Sequence, residues 1–304
     1  MSLLPFELPA GFLAHAGRGE RWAAWIDSVP RRLAHAIELW DLVVDGPPMH
    51  GHTAVVVPVL SDGTPAVLKA GWPFEEPRQE WLALRRWDGR GAVRMLAADP
   101  ASNVLLLERL QPTDLLTVDA LGACEVVAGL YATLHVPAPA RLDRLSAKVA
   151  RWTEDLAALP RSAPFPRRMV EQAVHLGRAF ATDPATDGTL VHTDLHDENV
   201  LAAERAAWLA IDPQPLSGDP HYEPAPMLWN RWDEVLAARD PRFAVRRRFH
   251  TLVDVAGLDE QRARDWVVVR EAHQAMWAIE DSVAGRGEPD RVTAAVTIIK
   301  AVQD

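Results

Sequence analysis

The sequence predicts a two-lobed α+β fold, with a small β-rich N-terminal lobe and a mainly helical C-terminal lobe. Three observations carry this. Two β-branched runs flank Asp62-Gly63 in "TAVVVPVLSDGTPAVLKAGW", the pattern of a tight hairpin. After Gln111-Pro112 the apolar spacing turns from strand-like to helical. Among the helical runs lies one short polar loop, "LVHTDLHDENVL", residues 190–201, with apolar residues at both ends. These place the N-terminal lobe over 1–110 and the C-terminal lobe over 111–304.

Each element has its own signal. "GERWAAWIDSVPRRLAHAIELW" has helical spacing, with Trp22, Trp25, Ile26 and Leu33 as its apolar face. "ELWDLVVDG" reads as a strand closed by a turn at Asp45-Gly46, and the hairpin follows it. "EEPRQEWLALRRWDGRG" reads as a helix stopped at Gly89, with Trp81, Leu82, Leu84 and Trp87 as apolar candidates. "AVRMLAADPASNVLLLERL" supplies two more strands around Asp99-Pro100. Residues 121–135, 144–159 and 167–180 are helical in character, and the chain is helical again beyond Tyr222.

Composition narrows the partners. The chain has 304 residues, 48% of them hydrophobic and 24% charged, the profile of a soluble globular protein. A net charge of −10 argues against non-specific binding to nucleic acid and favours cationic ligands. Cys124 is the only cysteine, so an intrachain disulfide and a Cys-based zinc site are both excluded. Residues 1–20 lack the basic start and apolar core of a signal peptide, and no apolar run approaches about 18 residues. A cytoplasmic, monomeric protein without a nucleic-acid or membrane partner is the expectation.

The polar loop carries the chemistry. Burying so many polar groups is costly unless each has a partner. Asp194 and Asn199 lie within His-x-Asp-Leu-x-x-x-Asn, the spacing of a kinase catalytic loop. In that pattern the Asp accepts the proton of the attacking hydroxyl and the Asn oxygen binds Mg²⁺. Asp212, at the end of "WLAID", supplies a second carboxylate for the metal. Upstream, Lys69 in "AVLKA" stands where a kinase lysine meets the α and β phosphates of ATP. A Glu from the next helix should steady it, Glu80 first and Glu76 as the alternative. Glu108 and Leu110, in "LLERL", stand where a kinase hinge offers backbone groups to adenine, with the Glu108 side chain silent. His192 reads as structural and Asp219 as a loop brace. Cys124 reads as a small buried group, and His196 sits where many protein kinases carry a lysine.

The motifs "VPVLSDGTPAVLKA", "VLLLERL", "LHVPAP", "LVHTDLHDENVLAAERAAWLAIDPQPLSGDPHYEPAPMLWNRW" and "AMWAIED" resemble those of the aminoglycoside phosphotransferase-type kinases. Within these the chain is most similar to the streptomycin 6-kinase and hydroxyurea phosphotransferase family. The resemblance implies a protein-kinase-like fold, ATP and Mg²⁺ as cofactors, and transfer of the γ-phosphoryl group to a hydroxyl of a cationic aminoglycoside. Streptomycin, at its 6-hydroxyl, is the first expectation, with antibiotic resistance as the outcome. Carboxylates suit such a polycation. Glu223, Asp233, Glu280 and Asp281 are the candidates, with Trp277 on the helical face of the last two. Two departures stand out. "DGPPMHGHTA" does not match Gly-x-Gly-x-x-Gly, and the metal motif reads Ile-Asp-Pro instead of Asp-Phe-Gly. Alternatives are the same chemistry on another sugar, a cyclitol or hydroxyurea. A metal-dependent hydrolase built on His192, Asp194 and His196 is a further alternative. It leaves Lys69, Asn199 and Asp212 unexplained.

Overall fold

A computed structural model describes residues 3–74, 76–283 and 290–304; the side chains of residues 76 and 77 also lie outside the described set. The chain divides into two compact units. One is Met1–Gln111 with Ala203–Arg205, the other Pro112–Ala202 with Ala206–Asp304.

The first unit opens with α1 (Ala10–Ala14) and α2 (Glu20–Leu39), then β1 (Leu42–Val44), β2 (Met49–His50), β3 (Ala54–Ser61) and β4 (Thr64–Gly71). It continues with α3 (Glu80–Trp87), β5 (Met95–Asp99) and β6 (Val104–Glu108). The strands form one antiparallel sheet in the order β1-β3-β4-β6-β5, with β2 also paired to β3. Asp62 and Gly63 both take positive φ, 48° and 74°, so the hairpin closes through the turn type that matches strand twist. α2 buries Trp25, Ile26, Val29, Leu33 and Ala36 against sheet residues such as Val55, Val57 and Leu68. Trp22 is half-buried and stacks on Trp72, ring centroids 4.0 Å apart. The short helix differs from expectation in its inward face. α3 buries Glu80, Ala83, Leu84 and Trp87, while Trp81 and Leu82 are only half-buried. A carboxylate therefore occupies a position where the apolar pattern alone put a tryptophan, and it is accepted there because it is paired.

The second unit contains α4 (Ala120–Leu134), α5 (Leu145–Ala157), α6 (Arg167–Thr182), β7 (Thr189–Val191), β8 (Val200–Ala202), β9 (Trp208–Ala210) and β10 (Leu216–Gly218). It ends with α7 (Ala225–Trp229), α8 (Trp232–Ala237), α9 (Pro241–Ala256), α10 (Glu260–Val283) and α11 (Arg291–Gln303). Two small ladders, β7 with β10 and β8 with β9, carry the polar loop. Their backing is apolar: Leu145, Val149, Phe180, Trp266 and Val269 pack around Val191 and Leu216. Close approach is required here, since a Cβ at Gly218 would lie 2.5 Å from Val191 Cγ2. Asp219 braces the chain just past β10, as its sequence context suggests. Its carboxylate accepts bonds from the His221 amide, Arg262 Nε and Trp266 Nε1. Among the described residues no helix is long and apolar enough to cross a membrane.

One core carboxyl is not matched in this way. Glu271 on α10 is 2% exposed, and its Oε1 has no hydrogen-bond partner among the described residues. Burial pushes it up to about 8, against the opposing charges of Arg270 and Arg291. Between the unfolded value near 4.5 and the folded value near 8, the folded state holds a proton that the unfolded chain releases. Stability contributed by this group therefore falls as pH rises through that window, by up to about 1.4 kcal/mol per pH unit. Glu271→Gln keeps the shape and removes the titration. Urea unfolding of the two proteins at several pH values should show the variant gaining on the parent as pH rises. A constant difference would mean that Glu271 is ionised throughout.

Candidate active site

In the second unit the polar loop is built by backbone bonds that cross between the two ladders. β7 delivers His192, whose Nε2 donates to the Ile211 carbonyl at 2.9 Å and whose Nδ1 accepts the Asp194 amide at 3.3 Å. The His192 carbonyl accepts the Gln214 amide, and the Asn199 carbonyl accepts the Ile211 amide. These bonds hold Asp212, just past β9, against the loop that carries Asp194 and Asn199. Asp212 itself has φ 54°, a left-handed conformation for a residue with a side chain. Both nitrogens of His192 are thus committed to backbone, which agrees with its structural reading and removes it as a metal ligand. Among the described residues no group of three or more His, Cys, Asp or Glu side chains is gathered as a metal site.

Thr193 is also left-handed, at φ 64°. Such strain costs about 1–3 kcal/mol and persists only where the surroundings over-determine it. Here they do. The Thr193 amide donates to Glu223 Oε1 at 2.8 Å, its hydroxyl donates to the Gln214 carbonyl at 2.6 Å, and its carbonyl accepts Arg270 Nη2. Arg270 also donates to the Tyr222 carbonyl at 2.9 Å and lies over the Tyr222 ring. Gln214 Nε2 donates to Asp194 Oδ2 at 2.9 Å, fixing the carboxylate in rotation. Burial pushes Asp194 up to about 6, with the charge of Asp212 adding to the rise and His196, Arg270 and Gln214 opposing it. Asp194 and Asp212 are therefore close enough to repel, a concentration of negative charge that suits a cation. Asn199, 8% exposed, donates from Nδ2 to the Asp194 carbonyl at 2.8 Å, which turns its Oδ1 away from that carbonyl. An amide oxygen and a carboxylate are hard donors of the kind Mg²⁺ takes alongside phosphate oxygens.

In the first unit Lys69 lies on the central strand β4, paired with Val56 and Leu105 on either side. Its Nζ donates to both oxygens of Glu80, at 2.8 and 2.7 Å. The two residues are 7% and 3% exposed. Glu80 sits in the first turn of α3, where the helix dipole also favours a carboxylate. The side chain of Glu76, the alternative partner, lies outside the described residues.

Glu108 corrects an expectation, because its side chain is not silent. It accepts the Arg94 amide at 2.7 Å and binds Arg205 Nε at 2.9 Å, while its own amide donates to the Arg94 carbonyl. Burial raises its carboxyl, but these bonds win and hold it below the usual range. Leu110, two residues on, is half-buried.

The residues expected at an acceptor site are dispersed. Glu223 is 1% exposed with Oε1 on the Thr193 amide, so it supports the loop from beneath and does not face a solvent-borne acceptor. Asp233 on α8 and Glu280 and Asp281 on α10 are exposed. Trp277 is half-buried, edge-on to Trp152 at 5.2 Å. Sequence reasoning did not single out Gln214 or Arg270. Gln214 and Arg270 act on loop atoms from distant positions, and no local spacing signals them.

The family model for aminoglycoside/hydroxyurea antibiotic resistance kinases matches residues 39–282. The chain belongs to that family. This kinase is 40% identical to streptomycin 6-kinase of Streptomyces glaucescens, over 98% of its own length and 97% of the relative's. It is also 40% identical to hydroxyurea phosphotransferase of Kitasatospora aureofaciens, over 98% and 86% of the two chains. Its fold matches the solved aminoglycoside phosphotransferase APH(4)-Ia at TM-score 0.60 and 16% identity, covering 91% of this chain and 98% of that one. A choline kinase from Streptococcus pneumoniae gives TM-score 0.60 at 14% identity, covering 90% and 99%. These likenesses show the protein-kinase-like fold, and membership of a kinase family makes this chain a phosphotransferase that uses ATP.

Proposed function

We propose that this kinase transfers the γ-phosphoryl group of ATP to a hydroxyl of a cationic aminoglycoside, streptomycin at its 6-hydroxyl before others, and so confers resistance. One observation carries the reading. The Asp194, Asn199 and Asp212 arrangement occurs in a chain 40% identical, almost end to end, to a streptomycin 6-kinase. In this reading Lys69 neutralises the α and β phosphates, and Glu80 keeps its ammonium in place. The Glu108 amide is already bonded to Arg94, so the Leu110 backbone is the better donor to adenine. Asn199 and Asp212 would hold Mg²⁺, which would supply neutralisation of phosphate charge. Asp194 orients the acceptor hydroxyl and takes its proton. The acceptor oxygen forms a bond to the γ-phosphorus as the bond to the ADP oxygen breaks. Positioning and preorganised charge supply the rate, with no covalent enzyme intermediate. Asp233, Glu280 and Asp281 are exposed carboxylates suited to guanidinium groups, and Trp277 offers a ring beside the last two. The reading takes the kinase to act as a monomer in the cytoplasm.

A second acceptor, hydroxyurea, is favoured by the equal identity to the Kitasatospora aureofaciens enzyme. Mass spectrometry after incubation with MgATP separates the two. One phosphoryl group gained by streptomycin, and absent with the Asp194→Ala variant, supports the first reading. Transfer to hydroxyurea alone supports the second. No product on either, together with no nucleotide binding by calorimetry, would overturn both.

A further inference from the structure

Asn199 does not stand alone. Its Nδ2 carries two hydrogens. One goes to the Asp194 carbonyl at 2.8 Å, and the other faces His196 Nε2 at 3.1 Å. On the far side of the ring, His196 Nδ1 lies 3.1 Å from the terminal carboxamide atom of Asn230 placed as Nδ2, and 3.9 Å from Glu198 Oε2. The donors and acceptors in this row can be assigned from one end. A carbonyl can only accept, so the group that Asn199 turns to Asp194 is its NH₂, and the second hydrogen of that group requires a lone pair on His196 Nε2. A ring carrying one proton then has it on Nδ1. Nδ1–H needs an acceptor; Glu198 Oε2, at 3.9 Å, is beyond hydrogen-bond distance, so the Asn230 carboxamide meets the need if it is turned to present Oδ1. Its two ends have the same shape, so the hydrogen bonds decide between them.

The row is anchored at its outer end as well. Asn230 follows α7 directly, and its carbonyl accepts Arg248 Nη1 at 2.7 Å. The next residue, Arg231, has φ 51° and pairs with the buried Asp197 of the polar loop at 2.8 Å. Arg231 also donates to the carbonyls of Leu115 and Val118. The segment after α7 is thus fastened to the loop at two adjacent residues. One fastening ends on Asp197, the other on the ring that orients Asn199.

We infer that Asn230 is a positioning residue for the metal-binding Asn199, acting through the tautomer of His196. With Oδ1 of Asn230 in place, His196 keeps its proton on Nδ1 and its lone pair on Nε2. That holds the Asn199 NH₂ inward and leaves Asn199 Oδ1 to the metal. Without the acceptor, the ring is free to carry its proton on Nε2, where it opposes the Asn199 NH₂ and loosens the amide. Groups that orient a metal ligand in this way change metal affinity about 10–100-fold when removed. The inference rests on the proposed role of Asn199, so its test must report on the metal separately from turnover.

The test uses the full chain with ADP and titrates Mn²⁺ by calorimetry, for the parent, Asn230→Ala and Asn230→Asp. The carboxylate of Asn230→Asp still accepts from Nδ1–H, whereas the methyl of Asn230→Ala does not. We expect Asn230→Ala to weaken Mn²⁺ binding about 10–100-fold and Asn230→Asp to stay within about threefold of the parent. In turnover assays the Asn230→Ala loss should appear as a raised requirement for Mg²⁺, with kcat recovered at saturating metal. Equal Mn²⁺ affinity in all three proteins would overturn the inference while leaving the metal site intact. Equal loss in both variants would also overturn it, because a packing defect does not distinguish a carboxylate from a methyl. Absence of Mn²⁺ binding in the parent complex would overturn the role of Asn199 itself.

Discussion

Replacing Asp194 with Ala is expected to lower kcat by about 10³-fold while leaving MgADP affinity within a few-fold of the parent. The expectation follows from how the residue is held. Its carboxylate is fixed by Gln214 at one oxygen and kept close to Asp212, and burial raises its proton affinity toward a useful range for a base. A group so placed is matched to receiving a proton from a hydroxyl, and the same placement contributes little to holding the nucleotide. Single-turnover rates and calorimetric binding, measured on the same preparation, separate the two effects. A variant that keeps the parental rate would remove Asp194 from the chemistry. A variant that loses nucleotide affinity in proportion to its rate would make Asp194 part of the metal site instead.

The second large effect is on stability. Glu80→Ala should cost about 3–5 kcal/mol, because it removes the buried carboxylate that takes two bonds from the Lys69 ammonium on the central strand. The pair is bonded through both carboxylate oxygens and almost wholly buried, so solvent cannot compensate for the loss. The double variant Lys69→Met with Glu80→Leu removes both charges and should recover most of that stability, because apolar groups of similar volume replace a buried pair with little penalty. It should not recover phosphoryl transfer. Urea unfolding and turnover, measured on all three proteins, test this. A Glu80→Ala protein as stable as the parent would show that Lys69 finds another partner.

What the sequence revealed about this site follows from distance along the chain. Asp194, Asn199 and Asp212 lie close together in sequence at a spacing set by one loop and one hairpin, so their association could be read directly. Lys69 and Glu80 were readable for the same reason, as neighbouring elements in a known order. Gln214 and Arg270 were not. Arg270 reaches the loop from the middle of α10, and nothing in the periodicity of that helix marks one buried arginine as different from the next. Glu223 was misread because an acid near a candidate site suggests a cationic ligand, whereas its partner is the Thr193 amide. A left-handed threonine and its backbone bonds leave no compositional trace. On α3 the apolar pattern alone put Trp81 and Leu82 inward, whereas the lysine on β4 pointed to Glu80. Trp81 outranks Glu80 on any apolar scale, and only the presence of Lys69 on β4 reverses the order.

The turn after β8 has a consequence for synthesis. Ala203–Arg205 belongs to the first compact unit, although the rest of that unit ends at Gln111. Arg205 binds Glu108 and donates to the carbonyls of Gly89 and Ala92. A nascent chain that has emerged only to Gln111 therefore has its strands but lacks the side chain that ties the end of β6 to the turn after α3. Translation at about 5–20 residues per second delays that side chain by roughly 5–20 s. This unit, although most of it is made before Gln111, is thus completed only when Arg205 has been made. During the interval the Glu108 carboxylate has the Arg94 amide but not the Arg205 guanidinium.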